Sequence, residues 1–200
     1  MAPWLIAGLG NPGPKYAGTR HNAGFDFIDA LASAWNLSWS HEKAFEADIA
    51  SGIAHGDKVL LVKPLTFMNL SGKSVSAAMR FHKIPLERVL VVHDEVAFAP
   101  GASKLNRGGS AAGHNGVADI IRVVGPGFLR LRIGIGPKAH PQMDLVDHVL
   151  GKLPDTDRAS ILASHPALIA GLATLLTQGE SKAMNQLNRK PSPSINSTQP

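Results

Sequence analysis

The sequence predicts an α/β fold, a single domain with a twisted, mixed and mostly parallel β-sheet flanked by helices. Apolar strand-like runs alternate with segments of helical periodicity, and polar loops follow several of the strands. With 200 residues, 44% of them hydrophobic, the chain is large enough for one core. We expect the domain to span residues 1–188 and the polar, proline-bearing segment 189–200 to be a disordered tail.

The first half of the chain predicts the element order βαββαβ. Apolar residues recur at helical spacing after the first loop, and the turn-rich triplet His55-Gly56-Asp57 separates two strand-like runs. Ser71 is expected to cap the second helix. The predicted elements are a strand at 4–7, a helix near 22–35, a hairpin within 45–63, a helix from Ser71 to about Lys83 and a strand at 88–92.

The second half begins with a glycine-rich loop at 108–116. A helix near 117–124, a strand at 129–135 and helices over much of 142–188 follow. No internal repeat is visible.

The most informative segment is the polar loop that runs from Gly8 to Gly24 after the first strand. Gly8, Gly10 and Gly13 have the spacing of a dinucleotide-binding GxGxxG motif, but that motif needs a helix to begin at its last glycine. Pro12 and Pro14 bracket Gly13 and favour extended backbone there. We therefore expect a rigid active-site loop.

Composition bounds the class of protein. The chain has no cysteine, so a disulfide framework and a thiolate nucleophile are excluded. It begins Met1-Ala2-Pro3 with no charged or long apolar leader, which favours a cytoplasmic protein without membrane contact. A net charge of +5 and a pI near 9.7 favour polyanionic partners such as nucleic acid.

Four loops after predicted strands carry polar side chains that can converge at the strand ends. A histidine can take a proton from water, and a carboxylate on its other ring nitrogen fixes the tautomer, so His21 and Asp94 form a candidate pair. Asparagine amides can hold a carbonyl, a ribose or a developing oxyanion without acting as a base. These asparagines are Asn11, Asn69 and Asn115; as single residues, they and Asp94 are equally consistent with turns and caps.

Other chemistries are poorly supported. The adjacent His93-Asp94-Glu95 would alternate between the faces of a strand, which makes a poor chelate, and there is no HExxH motif. Gly72-Lys73-Ser74 lacks the first glycine of a phosphate-binding P-loop because Phe67 occupies that position. No GxSxG motif supplies a serine nucleophile, so a hydrolase of this sequence would use water as the attacking group.

Basic residues surround the glycine-rich loop and the strand that follows it. Cationic side chains and loop N–H groups in such a place suit phosphate binding, although a solvated basic face would look the same. These residues are Lys104, Arg107, Arg130 and Arg132.

Six motifs occur in one order along the chain, and together they resemble the bacterial-type peptidyl-tRNA hydrolase family over roughly residues 4–188. They are Gly8-Leu9-Gly10-Asn11-Pro12-Gly13, Thr19-Arg20-His21-Asn22-Ala23-Gly24, Thr66-Phe67-Met68-Asn69-Leu70-Ser71-Gly72, His93-Asp94-Glu95, Gly113-His114-Asn115-Gly116 and Leu131-Arg132-Ile133-Gly134-Ile135-Gly136.

The resemblance implies a monomeric cytoplasmic enzyme that hydrolyses the ester between a peptide and the 3′-terminal ribose of tRNA, with no metal or other cofactor. By position, His21 matches the catalytic base and Asp94 the carboxylate that orients it. The other matches are Asn11, Asn69 and Asn115 for substrate positioning, Tyr16 and Met68 near the 3′ end and the peptide, His114 beside the peptide cleft, and Arg132 at a tRNA phosphate.

The chain departs from the family pattern in two loops. Residues 96–101 read Val-Ala-Phe-Ala-Pro-Gly, without the usual second acidic residue and Pro-Pro-Gly, and the glycine-rich loop contains Ala111 and Ala112. A lysine common in the family aligns with Asn106, so Lys104 or Arg107 is expected to take its phosphate role. Two alternatives remain, a non-catalytic RNA-binding protein on the same fold and a hydrolase of other acyl esters or small peptides.

Overall fold

The computed structural model describes residues 2–189, and the predicted tail lies almost entirely outside them. In that range seven strands and six α-helices follow one another along the chain. They are β1 (Trp4–Gly8), α1 (Ala23–Ala34), β2 (Ser40–Glu42), β3 (Ala47–Ala54), β4 (Asp57–Pro64), α2 (Ser71–His82), β5 (Val89–Glu95), β6 (Ser103–Arg107), α3 (Asn115–Val124), β7 (Leu129–Gly134), α4 (Leu145–Leu150), α5 (Asp155–Gln178) and α6 (Glu180–Leu187).

All seven strands belong to one sheet in the order β2-β3-β4-β1-β5-β7-β6. The four central strands are parallel, and the outer strands β2, β3 and β6 run antiparallel to their neighbours. The predicted α/β fold with a mixed sheet is therefore confirmed.

Apolar side chains on the two faces of the sheet form two cores. Leu90 and Val92 of β5 pack with helices α1, α5 and α6, whereas Val89 and Val91 face α2 and α3. Strands buried on both faces read as continuous apolar runs, which is why β1, β4 and β5 were visible in the sequence.

The hairpin was predicted correctly. Strands β3 and β4 pair antiparallel around His55 and Gly56, both of which have positive φ angles, at 50° and 84°. Two residues with positive φ are the signature of the type I′ turn that joins twisted strands.

Other details differ from the predictions. Strands β2 and β6 were missed because they are short, polar edge strands, with Leu105 the only fully buried residue of β6. Ser71 is not the N-cap of α2, since Leu70 holds that position and the Ser71 hydroxyl donates to the Met68 carbonyl at 2.8 Å. Strand β5 extends to Glu95, three residues past its predicted end.

Helix α5 is, among residues 2–189, the one helix long and apolar enough by length and composition to cross a membrane. One face of it packs into the core, where Ile161, Leu168, Leu172 and Leu175 are buried against α1 and α6, and 33% of its apolar 18-residue window is buried. Such core helices pass the same test of length and composition as membrane spans.

Candidate active site

The site lies where β1 and β5 end, and two glycines bring its parts together. A Cβ atom on Gly8 would lie 2.4 Å from the Gly24 carbonyl oxygen, and one on Gly24 would lie 2.5 Å from the Val92 oxygen. The start of α1 therefore packs directly on the backbone of β1 and β5. The 3₁₀ turn Arg20–Asn22, which precedes α1, is held over the end of β5.

His21 lies on this turn and is hydrogen-bonded to Asp94 of β5. Its Nδ1 donates to Asp94 Oδ1 at 2.9 Å, and both side chains are almost fully buried. Burial raises the pKa of Asp94, but the imidazoles of His114 and His21 and their hydrogen bonds outweigh burial and hold that pKa well below its usual range. An ionised Asp94 fixes the His21 tautomer, which leaves Nε2 as an acceptor.

His114 is the second histidine on Asp94. Its Nε2 lies 2.9 Å from the same carboxylate oxygen, while its Nδ1 accepts a hydrogen bond from the Val117 N–H at the start of α3. His93 packs beside it with a ring-centroid distance of 4.8 Å. Burial and then His114 lower the pKa of His93 to about 3, so His93 is neutral at physiological pH.

Asn11 organises the first loop. Its Oδ1 accepts a hydrogen bond from the Met68 N–H at 2.8 Å. The Asn22 carboxamide makes two hydrogen bonds to the Asn11 backbone: its Oδ1 accepts from the Asn11 N–H, and its Nδ2 donates to the Asn11 carbonyl. Within residues 2–189 the Asn11 Nδ2 has no hydrogen-bond partner, and Asn11 borders the cleft. The Asn22 bridge was missed in the sequence, because an asparagine at a helix start gives no sign of a partner eleven residues earlier.

An open cleft runs past His21 in two adjoining cavities of about 480 and 630 Å³. His21, Asn115 and two apolar residues of α4, Val146 and Val149, line both. The first cavity is also bordered by Asp94, Glu95, His114 and the loop 111–113, and the second by Asn11, Phe67, Met68 and Asn69. Tyr16 lies at the rim, edge-on to Phe67 with ring centroids 6.4 Å apart.

The structure separates the predicted basic residues. Lys104, Arg132 and His93 are cross-strand neighbours on β6, β7 and β5, near the site. Arg132 forms an ion pair with Glu95 at 2.7 Å. Arg107 is level with Leu129 at the opposite end of β7.

The two remaining arginines are engaged within the protein. Arg107 makes a bidentate ion pair with Glu180 and also donates to two backbone carbonyls. Arg130 is buried and donates to the carbonyls of Gly109 and Ser110, which holds the glycine-rich loop. Both guanidiniums therefore have partners within the protein.

Three atoms at the centre of the site have the character of metal ligands. His21, Asp94 and His114 each contribute one ligand atom, all within 4.8 Å of one another. Each imidazole nitrogen is within hydrogen-bonding distance of the carboxylate, so the three groups satisfy one another as donors and acceptor.

The fold and the site define an α/β protein with a histidine–carboxylate pair in an open, asparagine-lined cleft at the strand ends, an arrangement suited to hydrolysis by activated water. A family model described as peptidyl-tRNA hydrolase matches residues 5–195. The chain belongs to the peptidyl-tRNA hydrolase family and is an enzyme of that class.

Individual proteins similar to this chain support the same family. The peptidyl-tRNA hydrolase of Agathobacter rectalis is 48% identical over 190 residues, which cover 92% of this chain and all of that protein. The peptidyl-tRNA hydrolase of Geobacter sulfurreducens is 44% identical, with 95% of this chain and 97% of that protein covered. A crystal structure of the Acinetobacter baumannii peptidyl-tRNA hydrolase superimposes with a TM-score of 0.89 at 40% identity, over 96% of this chain and 97% of that one.

Proposed function

We propose that this protein hydrolyses the ester between a peptide, or an N-blocked aminoacyl group, and the 3′-terminal ribose of tRNA, and so recycles prematurely released peptidyl-tRNA. The observation that carries the mechanism is the 2.9 Å bond from His21 Nδ1 to Asp94, which leaves Nε2 as a base in the cleft. His21 takes a proton from water as the water oxygen attacks the ester carbonyl, and Asp94 stabilises the imidazolium. When the tetrahedral intermediate collapses, the bond from the carbonyl carbon to the ribose oxygen breaks, and that oxygen takes the proton from His21.

Amide groups are suited to the charge that develops on the carbonyl oxygen. Asn11 Nδ2 is without a partner among the described residues, and Asn69 and Asn115 are exposed on the same cleft. Neutral donors aimed at a developing oxyanion stabilise the tetrahedral intermediate more than the ground state. We assign substrate positioning to these three asparagines, with Met68, Tyr16 and His114 beside the 3′ end and the peptide.

The tRNA phosphates are assigned to Lys104 and Arg132. Lys104 is exposed and lies opposite Arg132 across β6 and β7, at the level of the site. Arg107, which the sequence offered as a third candidate, lies beside Leu129 at the end of the sheet away from the site and is left out of this assignment. We propose that the enzyme acts as a cytoplasmic monomer on peptidyl-tRNA.

Release of an N-blocked aminoacyl group from tRNA tests this function. Wild-type protein and His21→Ala are compared with a metal chelator present throughout, and binding of deacylated tRNA is measured in parallel. Loss of the general base is expected to lower kcat by on the order of 10²–10⁴ while tRNA binding is retained. Unchanged turnover by the variant would remove His21 from the mechanism.

The same assay separates the two alternatives. Binding of tRNA without turnover by the wild type would favour a non-catalytic RNA-binding protein. Equal turnover of peptidyl-tRNA and of a simple peptidyl ester would favour a general acyl esterase, in which the basic residues have no role.

A further inference from the structure

Arg20 directly precedes His21 in the chain, and its side chain has no part in the mechanism or in the binding assignments above. Its Nη1 donates to the Lys152 carbonyl at 3.0 Å and to the His148 carbonyl at 3.4 Å. Within residues 2–189 the guanidinium has no carboxylate partner. Both of the carbonyls that it binds belong to the last turn of α4 and the residues that follow it.

Helix α4 needs donors from outside itself. It has only six residues, Leu145–Leu150, and a helix this short is not stable alone in water. The last carbonyls of a helix have no partner within the helix, and a cation is favoured there because it opposes the negative end of the helix dipole. Arg20 therefore acts as a C-terminal cap on α4, supplied from a distant part of the chain.

Backbone hydrogen bonds join the same two segments. The Arg20 N–H donates to the Gly151 carbonyl at 3.0 Å, and the Leu153 N–H donates to the Gly18 carbonyl at 3.2 Å. Gly151 lies against the guanidinium, since a Cβ atom on it would be 3.0 Å from Arg20 Nη1. The turn that carries His21 and the end of α4 are thus in direct contact.

Helix α4 forms one wall of the cleft. Val146 and Val149 line both cavities beside His21, and Val149 is buried. Apart from the segment 18–20, α4 is held through His148, whose Nε2 donates to the Gly136 carbonyl at 2.9 Å. The position of α4 therefore sets the width of the cleft.

We propose that Arg20 is a positioning residue that fixes α4 against the turn carrying His21, so that Val146 and Val149 form the wall against which the substrate binds. The kinetic consequence rests on the proposed function. The anchoring of α4 is a property of the free protein and is measured without substrate.

His21 keeps its own supports when the Arg20 side chain is removed. Its Nδ1 remains bonded to Asp94, and its turn is closed by the Asn22 N–H, which donates to the Thr19 carbonyl at 3.1 Å. Loss of the guanidinium is therefore expected to weaken substrate binding more than it slows proton transfer.

Three variants separate this role from a general loss of stability. Arg20→Met keeps an unbranched apolar stem and removes every donor, whereas Arg20→Lys keeps a charged donor. Arg122→Met is the control, because it removes an arginine that is paired with Asp119 on α3. Amide hydrogen exchange, followed by NMR in the free protein, reports local opening at each residue.

In Arg20→Met the amides of His148 and Val149 are expected to exchange about 10- to 100-fold faster, the equivalent of one hydrogen bond from a charged donor. The amides of β5 should keep their wild-type rates, which shows that the whole domain has not been loosened. Arg20→Lys is expected to be intermediate, and Arg122→Met is expected to leave α4 unchanged. Unchanged exchange at α4 in Arg20→Met would overturn the proposal, since the backbone bonds alone would then hold the helix.

Release of an N-blocked aminoacyl group from tRNA tests the kinetic consequence. In Arg20→Met we expect KM to rise about 10-fold with kcat within about threefold of wild type, and Arg20→Lys to restore part of the KM. A fall in kcat at unchanged KM would overturn the proposal, because Arg20 would then act on His21 and not on α4. Faster exchange at α4 in a protein whose wild type does not turn over tRNA would support the anchoring role and remove the proposed function.

Discussion

Gly24 touches Leu9 so closely that a Cβ atom would lie 2.5 Å from the Leu9 nitrogen and 2.6 Å from its oxygen. Backbone cannot move aside as a flexible side chain can, so Gly24→Ala must displace the start of α1. We expect a loss of about 1–3 kcal/mol in the free energy of unfolding. The displacement also moves His21 away from Asp94 and should lower kcat. Denaturant unfolding and turnover measure both effects, with Ser33→Ala on the exposed side of α1 as the control.

Asp94→Asn tests the carboxylate directly. The amide is nearly the same size but cannot stabilise an imidazolium, and its NH₂ group can face His21 and reverse the tautomer. We expect kcat to fall by about 10²–10⁴ with KM little changed, because the loss occurs as charge develops. Steady-state kinetics measures kcat and KM separately. A rise in KM alone would mean that Asp94 holds substrate and does not orient the base.

Lys104→Ala should change the salt dependence of tRNA binding. The side chain is exposed and has no ion pair among the described residues, so under the proposed function its loss removes one phosphate contact and little else. The slope of log K against log salt is expected to fall by about one unit. Arg107→Ala is the matched control, since it breaks the Glu180 pair at the other end of the strand and should destabilise the fold without changing the slope.

His93 makes stability fall at acid pH. Its pKa is about 3 in the folded protein, as a result of burial and of His114, against about 6.5 when unfolded. Below pH 6.5 the unfolded state binds a proton that the folded state does not, so the free energy of unfolding decreases with falling pH.

His93→Asn retains a donor for the Asp94 carbonyl and removes the titration. The decrease in unfolding free energy between pH 7 and pH 5 should be smaller by about 2 kcal/mol than in wild type. Denaturant unfolding at the two pH values measures it. The test compares the change in the free energy of unfolding between the two pH values, so any pH-independent loss of stability in the variant cancels. An equal change in wild type and variant would show that His93 is protonated in the folded protein.

Ala112 adopts a left-handed backbone conformation in the glycine-rich loop, with φ at 48°. Ala112→Gly relieves this strain and is expected to stabilise the protein by up to ~1 kcal/mol, after the entropy of glycine is offset. Ala112→Val should destabilise it by more than ~1 kcal/mol because a branched side chain tolerates this conformation poorly. Thermal unfolding measures both, and Ala111→Gly, at a neighbour without positive φ, should show no gain.

Much of the fold could be predicted because strands β1, β4 and β5 contain continuous apolar runs and the helices keep helical spacing. The edge strand β6 could not be predicted in this way, because only Leu105 of its sequence Ser-Lys-Leu-Asn-Arg is fully buried. The backbone groups of Leu105 on the free edge of β6 are satisfied by Asn188, the residue that follows α6. The Asn188 carboxamide accepts a hydrogen bond from the Leu105 N–H and donates one to the Leu105 carbonyl. Nothing local to either segment predicts such a contact between residues 83 positions apart.

The candidate site shows the same division. His21, Asp94 and the three asparagines were identifiable as candidates because ordered motifs and polar residues at or beyond the ends of apolar runs are local properties of the chain. The sequence by itself thus determined the fold class, the residue types of the site and the resemblance to a family. Tertiary structure alone decided that His114 shares an oxygen of Asp94 with His21, that Asn22 braces Asn11, and that Arg107 is bound to Glu180. These are relationships between distant segments, and they exist only once the sheet register and the packing of α1 and α3 set the distances.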